Sequence, residues 1–289
     1  MRAVGLNTLL SPPRSKVTSA DLYEEVAEYF ALGVRIEPGD TVLDVGANIG
    51  AFALRVAEVC DGNLRILAFE PSPDTFMALA RNFEKNAVLR KTTHQLFHLG
   101  LSSPERAGEA VSFYDFARFP TNSTFHLSAK RREFEIYFEE WGRRIATRIS
   151  ASVPGRLGLG VGGLAERTVS WLPKGRPGWW FTQKTMGLHE CSVRVDTLAR
   201  VLTEEARIER IALLKIDVEG VELEILHGLD DATWNKVQQV VLETHDRDGR
   251  LKEIEALLCG HGLSEMRKGL QKTVDNGLES ILLYARRPS

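Results

Sequence analysis

The stretch Thr41-Val42-Leu43-Asp44-Val45-Gly46-Ala47-Asn48-Ile49-Gly50 constrains this chain more than any other. An apolar strand carrying one aspartate runs into a glycine-rich turn, and a helix follows. In that layout backbone N–H groups and a helix N-terminus can approach a bound nucleotide-like ligand closely. A second apolar strand, Leu64 to Phe69, ends in Glu70-Pro71, twenty-four residues after Gly46. A carboxylate placed there can accept hydrogen bonds from both hydroxyls of a ribose. The two strand ends together read as an adenosine site.

The rest of the chain is organised around the same pattern. Asp21 is expected to open a helix, with Glu24 three residues on as in a capping box, and Gly33 to stop it. Helix 50–60, strand 64–69, a helix capped by Ser72-Pro73, and strands at 92–99 and 110–116 follow. The pattern resumes with strand 211–216, helix 219–227, strand 237–243, a helix near 250–260, and strands near 262–267 and 279–285. Alternating strands and helices are the signature of a parallel sheet covered on both faces. The organisation expected is one domain over 1–289, with a lead-in and helix at 1–40 and an insertion at 117–190.

Within that insertion Phe134, Tyr137, Phe138, Trp141 and Ile145 recur at helical spacing, and a core-facing stripe explains them better than substrate contact. Gly155 to Gly163 holds five glycines but no strand leads into it, so it reads as a lid or linker rather than a phosphate loop. Residues 126–190 carry eleven Lys/Arg against six Glu and no Asp, a balance of +5 in a chain whose net charge is −2. That leaves −7 elsewhere and reads either as solvated helix faces or as a basic surface for an acidic partner. No apolar run is long enough for a membrane span. Three cysteines without a CxxC pair argue against a disulfide framework or a zinc site and fit a reducing cytoplasm.

Four segments together carry a family likeness: Val42 to Gly50, Phe69-Glu70-Pro71, Leu214 to Glu222 (L-K-I-D-V-E-G-V-E), and Val241 to Asp246 (V-L-E-T-H-D). In this order they resemble the FkbM family of S-adenosylmethionine-dependent methyltransferases. The last segment is similar to the branch found in polyketide and nonribosomal peptide assembly lines. The resemblance implies a class I methyltransferase fold, Rossmann-like, with a seven-stranded mostly parallel sheet, helices on both faces and an inserted lid. It places S-adenosyl-L-methionine near Asp44, Gly46, Ala47, Asn48 and Gly50, with the ribose at Glu70-Pro71 and the adenine bordered by Gly100 and Leu101. It implies an O-methyltransferase acting on a polyketide or peptide intermediate, as a free small molecule or on an acidic acyl-carrier protein. Neither nucleic acid nor membrane is an expected partner.

Asp217 and His245 end two strands that a doubly wound sheet makes neighbours. Asp217 fits an N-cap of helix 219–227 and an active-site group equally well. His245 is the expected general base, oriented by Asp217 or Asp246. Glu219 and Glu222 suit the first turn of a helix and read as structural. Lys215, inside an apolar strand, must pair with a carboxylate or reach solvent past the strand edge. No resident metal is expected. Two alternatives remain: a metal-assisted enzyme with Asp217, Glu243 and His245 as ligands, and a non-catalytic cofactor-binding module. A dehydrogenase is disfavoured, because Asn48 stands where its second glycine would be.

Overall fold

The computed structural model describes residues 9–136, 175–204, 208–246, 249–271 and 280–288. The glycine run at 155–163, Tyr137, Phe138, Trp141 and Ile145 lie outside the described residues. So do six of the eleven basic residues of 126–190: Arg143, Arg144, Arg148, Arg156, Arg167 and Lys174.

The main sheet has seven strands: β1 (Thr41–Val45), β2 (Arg65–Phe69), β3 (Thr93–Phe97), β7 (Leu213–Ile216), β8 (Gln239–His245), β9 (Glu265–Gln271) and β10 (Ser280–Arg286). Across the sheet they run β3-β2-β1-β7-β8-β10-β9. Pairing is parallel from β3 to β8, and β10 lies antiparallel to both β8 and β9. A smaller sheet, β4-β6-β5, is built from β4 (Gly100–Leu101), β5 (Ala110–Phe116) and β6 (Leu188–Asp196). The strand at 110–116 therefore pairs antiparallel with β6 and does not extend the parallel sheet as its place in the pattern implied.

Side chains alternate across a strand, so each central strand feeds two cores. Val42, Ile66, Ala68, Leu213 and Val241 face α1 (Ser19–Ala31), α2 (Ala51–Val59) and α3 (Pro73–Lys85). Leu43, Val45, Leu67, Phe69, Leu214, Ile216 and Leu242 face α6 (Leu198–Glu204), α7 (Glu222–His227) and α9 (Arg250–Gly260). Helix α1 starts two residues earlier than the sequence pattern indicates. Thr18 is its N-cap and Asp21, not Glu24, closes the capping box. Ser72 caps α3 with Pro73 at its first turn, as expected. From the insertion the structure describes a helix at 127–136 (α4) and α5 (Gly175–Met186), which leads into β6. Among the described residues no helix is long and apolar enough to cross a membrane.

Asn82 of α3 ties the lead-in to the glycine-rich turn. It is fully buried, donates to the carbonyls of Ile49 (2.8 Å) and Leu10 (2.9 Å), and accepts the Leu10 N–H (2.6 Å). Asn82→Ala leaves these groups without partners, so a loss of about 1–3 kcal/mol in urea unfolding is expected. A change under a few tenths would show that water replaces the amide.

Candidate active site

The turn after β1 owes its shape to a close approach from β7. Gly46 has φ +72°, and a Cβ on it would stand 1.8 Å from the carbonyl oxygen of Asp217. Only glycine fits that contact. The Gly46 and Ala47 N–H groups both donate to the carbonyl of Phe69, each at 3.0 Å, which fastens the turn to the end of β2. Asn48, also at positive φ, donates its N–H to Glu70 Oε2 (2.9 Å), and Ser72 donates its N–H to Glu70 Oε1 (2.9 Å). Burial pushes the Glu70 carboxyl up to about 7, against the pull of those N–H groups. Gly50 caps α2 in the left-handed region.

A row of polar groups crosses the α1 face of the sheet. Asp44 and Lys215 sit opposite each other in the β1–β7 pairing. The Lys215 ammonium lies 3.1 Å from Asp44 Oδ1 and 3.4 Å from Asp217 Oδ2, and it donates to the Gly46 carbonyl at 2.8 Å. Burial works against this cation, but Asp44 and then Asp217 outweigh it and hold its pKa above the usual lysine value. Of the two outcomes expected for Lys215, pairing is the one found. Tyr29 of α1 is buried over the row and donates to Glu243 Oε2 at 3.4 Å. Burial, with Asp217 and Glu219 nearby, raises Glu243 well above the ordinary carboxyl range.

These groups open into a cavity of about 480 Å³ at the carboxyl edge of β1, β2, β7 and β8. Its walls include Gly46, Ala47, Asn48, Glu70, Pro71, Asp217 and His245, so most of the anticipated site residues come together there. Asp44 lies behind Lys215, fully buried, and Gly50 sits at the start of α2. Gly100 and Leu101 do not line it. Leu101 is in the core, and Gly100 packs beneath Phe125, whose ring is the cavity wall. A larger cleft of about 820 Å³, between the lead-in, α3 and α5, contains none of the strand-end groups.

The far wall comes from the insertion. Phe119 to Phe125 and Lys130, Glu133 and Phe134 of α4 face the strand ends. Phe134 thus lines the cavity, and its ring also packs on Phe116. Lys130, only 4% exposed, ion-pairs with Glu133 and Glu219, each at 2.7 Å. His245 Nε2 is 3.9 Å from Glu219 Oε2, while its Nδ1 is buried and has no hydrogen-bond partner.

Three expectations are corrected here. Neither Asp217 nor Asp246 is the carboxylate beside His245: Asp217 turns to Lys215 and Tyr29, and Asp246 accepts the Leu251 N–H at the start of α9. Helix α7 begins at Glu222, not 219, with Val221 as N-cap, so Asp217 does not cap it and Glu219 stands free of it in the cavity wall. Among the described residues, the acidic and imidazole groups within 4.8 Å of one another are Glu133, Glu219 and His245, not Asp217, Glu243 and His245, and the Lys130 ammonium is shared between the two glutamates, 2.7 Å from each. Glu222 is buried as a structural group, accepting the Gly220 N–H and pairing with Arg250.

The family model described as the methyltransferase FkbM domain matches residues 44–265. The chain belongs to the FkbM methyltransferase family. It is 34% identical to the 31-O-demethyl-FK506 methyltransferase FkbM of Streptomyces tacrolimicus over 92% of this chain and 89% of that protein. It is 30% identical to methyltransferase sdnD of Sordaria araneosa, over 94% and 92%. It is also 34% identical to the AMB antimetabolite synthetase AmbE of Pseudomonas aeruginosa, over 92% of this chain but 12% of that protein. Among solved structures it is similar to a precorrin-6y C5,15-methyltransferase from Geobacter metallireducens (TM-score 0.43, 10% identity, 96% and 95% covered) and to M. jannaschii TYW2 in complex with AdoMet (TM-score 0.40, 9% identity, 91% and 76% covered).

As an FkbM-family enzyme it uses S-adenosylmethionine, and the cavity fits a cationic cofactor. Glu25, Glu70, Glu133, Asp217, Glu219 and Glu243 line it, against Lys130, Lys215 and His245. A sulfonium and an ammonium suit such a wall. The Gly46–Asp217 contact yields a sharp test. Gly46→Ala should lower folding stability by about 1–3 kcal/mol and abolish calorimetric cofactor binding, because the turn must shift. Binding at wild-type affinity would dissociate the turn from the cofactor.

Proposed function

We propose that this enzyme methylates a hydroxyl oxygen on a polyketide or peptide-like intermediate in natural-product biosynthesis. The observation that carries the reading is a single cavity walled by the Gly46 turn, Glu70, Asp217 and His245. The names of the relatives support the substrate class: one acts on an FK506 precursor, and another is an antimetabolite synthetase. The basic balance of residues 126–190 supports delivery on an acidic carrier protein, with Arg131 and Arg132 of α4 among its charges. A cytoplasmic setting goes with three free cysteines, Cys60, Cys191 and Cys259.

In this reading the turn at Gly46, Ala47 and Asn48 holds the methionine and ribose portions, and Glu70 accepts from the ribose hydroxyls. Asp44 acts indirectly, by fixing Lys215 against the Gly46 carbonyl. Asp217 faces the cationic part of the cofactor. S-adenosylmethionine, when bound, supplies a methyl group on a sulfonium that departs as a neutral thioether. An alcohol is a weak nucleophile, so His245 takes its proton through Nε2, the nitrogen turned to Glu219. Phe113 and the 119–125 segment, apolar and polar by turns, receive the acceptor and exclude water.

Intact-mass measurement of candidate carrier proteins and free small molecules after incubation with enzyme and cofactor identifies the acceptor by a 14-dalton gain. With that acceptor, His245→Ala should lower turnover by about 10²–10⁴ while leaving cofactor affinity within twofold. Unchanged turnover would move the proton to another group.

Glu70 gives an independent test. Its free carboxyl titrates at about 7, and ribose hydroxyls donate to the ionised form. Below that pH the protonated form must first lose its proton, so cofactor affinity should weaken, approaching about tenfold per unit. Calorimetry from pH 6 to 8.5 should show this fall, and Glu70→Gln should bind weakly and without it. A flat wild-type profile would remove Glu70 from the ribose.

A further inference from the structure

We propose that Glu219 is the charge partner and positioning residue of His245, and that Lys130 sets its charge and holds it in place from α4. This rests on the reading of His245 as the base, but it concerns groups that the family motifs do not join.

The geometry is built from three sides. The 217–221 segment is not helical: Gly220 sits at φ +95° and α7 starts only at Glu222. Thr124 donates its hydroxyl to the Glu219 carbonyl at 2.9 Å, and Arg250 donates to the Gly220 carbonyl at 2.6 Å. The Glu219 side chain is thereby directed into the cavity, where Lys130 meets Oε2 at 2.7 Å. The same oxygen is 3.9 Å from His245 Nε2. That span is too long for a direct hydrogen bond and is one that a small hydroxyl or a water can bridge.

The chemistry follows from the charges. When Nε2 takes the proton of the acceptor hydroxyl, the imidazole becomes a cation beside Glu219, and the carboxylate stabilises it. Lys130 opposes this. It shares the charge of Glu219 and so weakens the pull of the carboxylate on the imidazolium. The other groups facing His245 are Glu133 of α4, Asp217 at the end of β7, Glu243 on its own strand, Tyr29 and Glu25 of α1, and Ser280, its partner in β10. Lys215 engages Asp217 and Tyr29 engages Glu243, and Glu219 is the carboxylate that stands 3.9 Å from Nε2.

The test needs no acceptor. Nitrogen-15 NMR of histidine-labelled full-length protein, assigned with His245→Ala, follows the His245 imidazole through its titration. In Glu219→Gln the midpoint should fall by about one pH unit, since a carboxylate is lost beside the imidazole while Lys130 keeps its charge, with Glu133 as its remaining partner. In Lys130→Met it should rise, and in Lys130→Arg it should stay at the wild-type value. Thermal melts and far-ultraviolet circular dichroism matching wild type qualify each variant as folded. If the midpoint ignores both Glu219→Gln and Lys130→Met, or moves the same way in both, the coupling is absent and the proposal is wrong. It is equally overturned if millimolar magnesium shifts the His245 resonances in the wild type and not in Glu133→Gln, because Glu133, Glu219 and His245 would then hold a metal in place of the lysine. Failure of His245 as base appears elsewhere, as normal turnover of His245→Ala, and leaves these titrations interpretable.

Discussion

The site hangs on one buried ammonium. Lys215 is inside the sheet, 2% exposed, and joins the two strands on which the cavity depends. It neutralises Asp44 on β1 and reaches the carbonyl of Gly46, while its own strand delivers the Asp217 carbonyl onto Gly46 from the other side. Remove the ammonium and Asp44 becomes an unpaired charge in a fully buried position, a loss that costs several kcal/mol in comparable settings. A hydrophobic residue in its place would pack, but it could not hold the turn. The lysine therefore links the ends of β1 and β7 in register and in charge at once.

The cavity has two origins. One wall is the carboxyl edge of the parallel sheet, where successive strands each present a polar residue on the α1 face. The other is the insertion, through the 119–125 segment and α4. The two walls are tied by Lys130 and Thr124, both of which grip Glu219. In the reading proposed, cofactor chemistry belongs to the first wall and acceptor chemistry to the junction of the two.

That division explains what could be read from the chain. The central strands of the main sheet announce themselves by their apolar runs, and Gly46, Glu70 and His245 stand at the ends of such runs, so their convergence follows from the doubly wound order. Glu219 was misread because an acidic residue just before a helix ordinarily complements the helix dipole. The contrary signal was present in Gly220, a poor residue for a first helical turn and a good one for positive φ. Lys130 left no local trace. Glu133, three positions on, reads as an ordinary helix-face pair, and the partner that matters for the cavity, Glu219, is 89 positions away. Gly100 and Leu101 were assigned through the family resemblance, as the residues just after the third strand, but the chain turns after β3 into a separate small sheet and buries Leu101.

The acid lining of the cavity has a consequence for turnover direction. A methyl transfer removes a carbon and a full positive charge from the cofactor in the same event. With S-adenosylmethionine in this cavity, as the reading proposed has it, a wall richer in carboxyl than in amino groups attracts the charged reactant and loses much of that attraction for the neutral thioether left behind. In that reading, the charges that draw the cofactor in also discriminate against its spent form. Exchange of spent for fresh cofactor is thus favoured by charge, without any moving part having to tell the two apart.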